Sequence, residues 1–435
     1  MKRVLIITYY WPPSGGAGVQ RWLKFVKYLR EFGWEPIVYT AENAEMPVID
    51  ASLKKDIPNN ITVLKTKIWE PYSFYKAFIG KKQNEKINAS FLSENKKPSI
   101  TEKISVWIRG NFFIPDARKF WINPSVKYLN DYLKKNPVDA IISTGPPHSM
   151  HLIALGVKKN FPSIKWVADF RDPWTNIDFY KELMLSSSSD KKHKRLEKEV
   201  LKNADSIISI GNGMNEEFKT ILGSNPEKFT VITNGFDEDD LYKGSIETDK
   251  KFSIAHIGTL VKSRNPETLW KVLKSLCEIN SDFKNNLEIK LVGKVDYYVM
   301  ERLKHYQLDS FIRKIDYLPH NEVIKEQQKS KVLLLLVNNT PNAKSILTGK
   351  IFEYLAANVP ILAIGPTDGD LAAILKQTQS GLISDFNDEN LLKENILKIF
   401  SGQNITPDKK AISQYSRREL TRTLSSLLEK LCNKN

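Results

Sequence analysis

Dense apolar runs alternate with segments of helical spacing along most of the chain. The run at 331–337 (KVLLLLV) reads as a short strand and is followed by a polar loop at 338–345. From Lys350 to Ala357 the apolar residues Ile351, Phe352, Leu355 and Ala356 fall at helical spacing. Asn358 then marks a turn, and a second apolar run covers 359–364. Strand, loop, helix and strand in that order form the unit of a parallel sheet. The chain opens the same way. A buried strand is predicted over 3–9, then a Gly-rich loop at 11–21, an amphipathic helix over 22–31 and a strand over 36–40. Further strands are predicted at 138–144, 165–168, 205–212, 229–237, 252–260 and 287–295. A charged helix is expected over 190–204 and a last helix over 417–431. The fold class is α/β.

A length of 435 residues is long for one core. The polar, acidic stretch at 238–250 reads as a linker. The expected division is 1–240, 251–412 and a C-terminal segment, 413–435. The composition, 41% apolar and 26% charged, is that of an ordinary globular protein. Cys277 and Cys432 offer no disulfide framework, which suits a reducing compartment, and the six histidines lack metal-binding spacing. The N-terminal apolar run is too short for a signal peptide and has no cleavage site after it. No run approaches the roughly 18–20 apolar residues of a membrane span.

The formal charge of +15 changes the picture. It fits nucleic acid, an anionic membrane surface or phosphorylated substrates. No nucleic-acid module is present, so membrane and phosphate are favoured and no nucleic-acid partner is expected. Between 68 and 132 aromatic and basic residues alternate with apolar ones, a composition suited to a bilayer interface. A buried aromatic cluster is the alternative for Phe113 and Trp121. The weakly periodic stretch 81–99 reads as a loop.

Candidate chemistry gathers at predicted strand ends. Thr348 and Gly349 open the helix that carries Lys350. Unpaired N–H groups and a positive dipole end suit a phosphate there. Glu353, one turn on, can accept hydrogen bonds from hydroxyls; an ordinary capped helix with solvated Lys and Glu is the alternative. Gly15 and Gly16 let backbone approach a ligand, but the loop is not G-x-G-x-x-G, so no dinucleotide fingerprint exists. His148 and His151 follow the strand at 138–144, and Asp169 and Asp172 close the next one. Those carboxylates could act as base or acceptor, or form an Asp–Arg pair that holds the loop. Arg21 is either a phosphate contact or a surface charge.

The run KIFEYLAANVPILA (350–363) resembles the nucleotide-sugar segment of family 4 retaining glycosyltransferases of GT-B fold, the type that builds bacterial surface polysaccharide. The resemblance implies two Rossmann-like domains facing across a cleft, with the C-terminal helix crossing back to the first. It assigns Glu353 to the donor ribose. The family's E-x7-E has Ser345 at its first position here. Leu347, Thr348 and Lys350 fall in the same donor segment. Gly15 and Gly16 match the family's G-G loop, facing the diphosphate and the transferred sugar. The N-G-F-D turn at 234–237 resembles the domain-junction motif and brings Asn234 into the donor set. Of the two family cations after the strand ending near Gly258, the Arg position is Thr259 and the Lys position is Arg264; Lys262 is a candidate replacement. Gly293 matches a glycine that admits the nucleotide.

The resemblance also implies chemistry. Arg264 would hold the leaving diphosphate. His148 is the nearest substitute for a family His at a strand end that here reads STG, and Asp172 joins it as a catalytic candidate. No metal is expected, because such sites commonly do without one and no obvious D-x-D donor-metal signature is seen, and the only small molecule is the substrate nucleotide sugar. A backbone or phosphate oxygen would take the acceptor proton. The implied partners are a nucleotide-sugar donor, a lipid-linked or saccharide acceptor, and an anionic membrane. The expected place is the cytoplasm, peripheral at the inner face of the cytoplasmic membrane, in lipopolysaccharide, capsule or exopolysaccharide synthesis. A nucleotide-sugar epimerase of the same fold and a non-catalytic nucleotide-sugar-binding scaffold are the alternatives.

Overall fold

The computed structural model describes residues 1–46, 48–70, 100–223, 226–242, 244–403 and 405–433. Contacts divide the chain into one unit of Met1–Thr233 with Arg417–Asn435 and a second of Asn234–Ser416.

In the first unit the apolar runs become strands β1 (Lys2–Ile7), β2 (Trp34–Ala41), β3 (Thr62–Thr66), β4 (Ala140–Gly145), β5 (Lys165–Phe170), β6 (Ser206–Ser209) and β7 (Phe229–Val231). They pair in parallel in the order β3-β2-β1-β4-β5-β6-β7. The helices are α1 (Ala17–Leu29), α2 (Ile100–Phe112), α3 (Ile122–Lys135), α4 (Ser149–Asn160), α5 (Ser187–Asn203) and α6 (Asn212–Leu222). Side chains alternate across a strand, so each face of the sheet has its own core. Leu5, Ile7, Ile141 and Trp166 lie in one cluster, and Val4, Ile6, Ile142 and Val167 in the other. Strand order reverses between β1 and β4, and a ligand crevice is expected outside the carboxyl ends of such a pair.

The second unit repeats the plan with β8 (Phe252–Ile257), β9 (Leu287–Val292), β10 (Ile312–Ile315), β11 (Val332–Leu336), β12 (Ile361–Ile364) and β13 (Gly381–Ser384). All are parallel in the order β10-β9-β8-β11-β12-β13, and the reversal lies between β8 and β11. Its helices are α7 (Glu267–Ile279), α8 (Ser281–Asn286), α9 (Tyr297–His305), α10 (His320–Lys329), α11 (Lys350–Ala357), α12 (Asp370–Thr378), α13 (Glu389–Phe400) and α14 (Lys409–Ser413). Asn358 ends α11 in the left-handed region, at φ 56°. The last helix, α15 (Arg417–Asn433), belongs to the first unit. Its Leu420, Leu424 and Leu428 recur every fourth residue and pack with Trp22, Leu23 and Val26 of α1.

Several elements depart from expectation. Helix α1 starts five residues before 22, because Gly16 (φ 91°) ends the loop directly before Ala17. The strand expected over 229–237 stops at Val231, and Phe236 bridges to Ser416 instead. The 238–250 stretch lies in the second unit. Its Asp249 bonds Lys290, a fully buried lysine of β9 that needs a countercharge, with Glu326 Oε2 3.3 Å from the same ammonium.

Candidate functional site

Each unit carries a cluster of candidate residues at the carboxyl ends of its central strands. In the second unit Gly258 follows β8 with φ 114°, and Gly293 follows β9 with φ 107°. A Cβ on Gly258 would lie 2.7 Å from the Lys350 ammonium nitrogen, and one on Gly293 would lie 3.1 Å from the Gly258 carbonyl oxygen. The glycines therefore let the Lys350 side chain lie against bare backbone. Arg264 closes a short 3-10 turn (Lys262–Arg264), and its Nε donates to Asn338 Oδ1 at 2.7 Å, just beyond β11. Burial and the Arg264 charge push the Lys350 ammonium down to about 8, with Glu353 opposing. Two cations held this close make a place for an anion.

Helix α11 adds to that field. No side chain caps its first turn, and the buried Thr348 Oγ has no hydrogen-bond partner. Glu353 is exposed, and its Oε2 accepts from Gln327 Nε2 of α10 at 3.2 Å. Leu347 is buried, while Ser345 ends a 3-10 turn (Ala343–Ser345) before the helix. Lys262 is exposed, with its ammonium 4.8 Å from the Tyr298 ring centre. Asn234 begins the second unit. His256 was not singled out by sequence. It is buried near the end of β8, and burial, with Lys350 and Arg264, lowers it to about 3.

In the first unit Gly15 packs where a Cβ would meet that of Asp50 at 2.9 Å. A Cβ on Gly16 would meet nothing within 4 Å, and α1 begins without a side-chain cap. A helix start of this kind is suited to an anion. His148 lies beyond β4, stacked on Trp174 with centroids 4.6 Å apart and planes at 3°. Burial, with His151, His193 and Arg171, holds its imidazole well below the usual range, so it is neutral at pH 7. Asp116 occupies the start of α4, accepting from Ser149 N at 2.9 Å and Ser149 Oγ at 2.8 Å. Asp172 reaches the surface, yet desolvation by the surrounding protein, with the Asp178 charge, pushes its carboxyl up against the pull of Arg171.

Two sequence readings are corrected here. Asp169 is not an open base: it forms the Asp–Arg pair, with Arg21 rather than through a bond to its neighbour Arg171. Its Oδ1 accepts from Arg21 Nη2 at 2.7 Å, and its Oδ2 accepts from Trp22 Nε1 at 2.8 Å and Thr144 Oγ at 2.9 Å. Burial opposes its charge, but Arg21 and these donors more than offset that and hold the carboxyl below the usual range. Arg21, buried at 1% exposure, is neither a phosphate contact nor a surface charge; it also donates to the carbonyls of Ile232 and Thr233. The organising role of Arg171 was missed. Its guanidinium donates to Gly18 O at 2.8 Å and to Pro146 O, joining the loops beyond β1, β4 and β5. No local motif marks it, because its partners are backbone carbonyls distant in sequence.

The two Rossmann-like domains and the anion-suited glycine sites on them define a GT-B architecture. Residues 83–240 match the family model Glycosyltransferase Family 4, and residues 237–419 match Glycosyl transferases group 1. Together the two matches run from residue 83 to residue 419, and the chain carries the domains of a glycosyltransferase. Solved structures share the fold across its length at low identity. A glycosyltransferase from Rickettsia africae ESF-5 aligns with a TM-score of 0.62 at 14% identity, covering 100% of this chain and 99% of its own. Anabaena Alr3699/HepE in complex with UDP-glucose aligns at 0.59 and 11%, covering 99% and 100%. The lipopolysaccharide outer core galactosyltransferase WaaB, in its apo form, aligns at 0.59 and 12%, covering 99% of each chain. No curated protein matches the sequence.

Proposed function

We propose that the protein is a retaining glycosyltransferase that moves a sugar from a nucleoside-diphosphate donor to a hydroxyl acceptor in bacterial surface-glycan synthesis. The observation that carries this reading is Lys350, laid against Gly258 at the carboxyl end of the second sheet and within the field of the Arg264 charge. The diphosphate sits on these two cations and the start of α11, and Glu353 accepts from the ribose. As the bond between the anomeric carbon and the diphosphate breaks, the acceptor oxygen bonds that carbon from the same side. The hydroxyl proton passes to a phosphate oxygen. Charge growing on the leaving group is met by Arg264 and Lys350, an arrangement that does not call for a divalent ion. His148, neutral and able to hydrogen-bond hydroxyls, and Asp172 serve the sugar and the acceptor.

HepE, whose structure holds UDP-glucose, and WaaB, a lipopolysaccharide galactosyltransferase, support a nucleotide-sugar donor and a surface-glycan product. A lipid-linked acceptor would place the enzyme at the inner face of the membrane. No helix among the described residues is long and apolar enough to cross a bilayer.

The test begins by ranking UDP-, GDP- and ADP-sugars by thermal stabilisation. The best donor is then incubated with and without lipid-linked acceptor. A transferase releases nucleoside diphosphate in step with acceptor glycosylation. An altered sugar formed without acceptor would identify an epimerase, and binding without any turnover a scaffold.

A further inference from the structure

The loop after β5 is anchored on α5. Trp174, which stacks on His148, donates its indole N–H to His193 Nδ1 of α5 at 3.0 Å. One turn further along α5 is Glu197, 1% exposed. Its Oε2 accepts from Thr175 Oγ at 2.6 Å, and Oε1 accepts from Thr175 N at 3.4 Å. Both donors of Thr175, the residue next to Trp174, thus converge on one buried acid that lies outside the donor and acceptor chemistry proposed above.

We infer that Glu197 is a positioning residue: through Thr175 and Trp174 it holds the wall on which the His148 ring rests. The inference relies on the role given to His148 in the proposed reaction.

The surroundings make the contact switchable. Burial pushes the Glu197 carboxyl up to about 7, while the donors from Thr175 and Trp174 pull it down. The groups around it are few. His193 on α5 is lowered by burial. Glu217 on α6 raises Glu197 and accepts from Asn176 Nδ2 at 2.9 Å. Tyr180 is raised by burial, and its hydroxyl donates to Asp190. His148 and His151 stay neutral at pH 6 and above. When ionised, Glu197 accepts from the Thr175 hydroxyl and backbone N–H with charge-assisted bonds. When protonated, it turns its O–H towards Thr175 Oγ and grips the backbone N–H less firmly. The loop is therefore held more tightly above pH 7 than below it.

Glutamine mimics the neutral acid: its amide donates to Thr175 Oγ while its oxygen accepts from the backbone. Two readouts separate positioning from general stability. In protein carrying 15N-tryptophan, the Trp174 indole resonance, assigned by its loss in Trp174→Phe, shifts with a midpoint near pH 7. In Glu197→Gln that step is absent. In the transfer assay, wild-type kcat rises through the same midpoint at constant donor KM. Glu197→Gln gives a flat profile at the low-pH value. Should Glu197→Gln not fold, Thr175→Val removes one donor, and the indole midpoint moves above 7. An indole step that persists in Glu197→Gln, or stays in place in Thr175→Val, overturns the inference. The resonance does not depend on turnover, so an inactive wild type would count against the transferase reading instead.

Discussion

Lys350 is the residue whose chemistry can be followed most directly. In the empty site burial and Arg264 hold its ammonium down to about 8. A bound diphosphate favours the charged form and raises that value, so binding takes up a proton once the solution is more alkaline than about 8. Affinity for the nucleoside diphosphate should be level near pH 7 and about tenfold weaker by pH 9, since each unit beyond the free pKa costs about 1.4 kcal/mol. Calorimetry between pH 7 and 9 checks this. Lys350→Arg should bind with no such fall, because a guanidinium stays charged throughout. A level wild-type profile would remove Lys350 from the diphosphate site. At this scale spacing and motif singled out Gly258, Lys350 and Glu353, and the structure brings the first two together beyond β8. The role of Asp169 could not be read in this way, because its partner Arg21 is 148 residues away and carboxylates at strand ends look alike whether catalytic or structural. Glu197 was invisible as anything but part of a charged helix, since its burial follows from how α5 packs.

At the scale of elements, the aromatic and basic span divides in two. Trp121 is buried and stacked on Tyr39 at 5.1 Å, as its buried alternative required. Arg118 is buried too, paired with Glu70 at 3.0 Å and set over the Tyr9 ring, so it does not serve a membrane. Lys76, Lys81 and Lys82 lie outside the described residues. Among the described residues of the span, Ile104, Trp107 and Phe112 on α2 are exposed, with Trp69, Phe120 and Tyr128. The Lys119 ammonium lies 4.9 Å from the Phe120 ring centre. Large apolar rings beside cations suit an interface between lipid and water. The protein should co-sediment with anionic vesicles at low salt, and high salt should release it. A variant with Trp107 and Phe112 changed to Ser and Lys119 to Gln should lose most of that binding. Equal recovery on neutral vesicles, or no loss in the variant, would assign the patch to another partner. Periodicity located the main strands around both sites but misplaced the start of α1. Helical spacing was read only from Trp22, whereas the glycine at 16 sets the boundary. The end of β7 was also hidden, because Phe236 is apolar enough to continue a strand and pairs with Ser416 instead.

For the whole molecule, two domains followed from length, and two parallel sheets from the repeated strand and helix pattern. Where the chain leaves each unit did not, because acidic residues near 249 look like linker until the buried Lys290 they neutralise is seen. The excess of positive charge suits both a phosphate-bearing substrate and an anionic surface. In the proposed reaction the second unit stabilises a departing diphosphate with Arg264 and Lys350. Steady-state kinetics of Arg264→Ala, with donor and acceptor both varied, tests this. A cation that acts as charge develops contributes more to the transition state than to the bound donor. In the variant kcat should fall by about 10²–10³ while donor KM changes by no more than about threefold. A raised donor KM with kcat unchanged would instead assign Arg264 to ground-state binding.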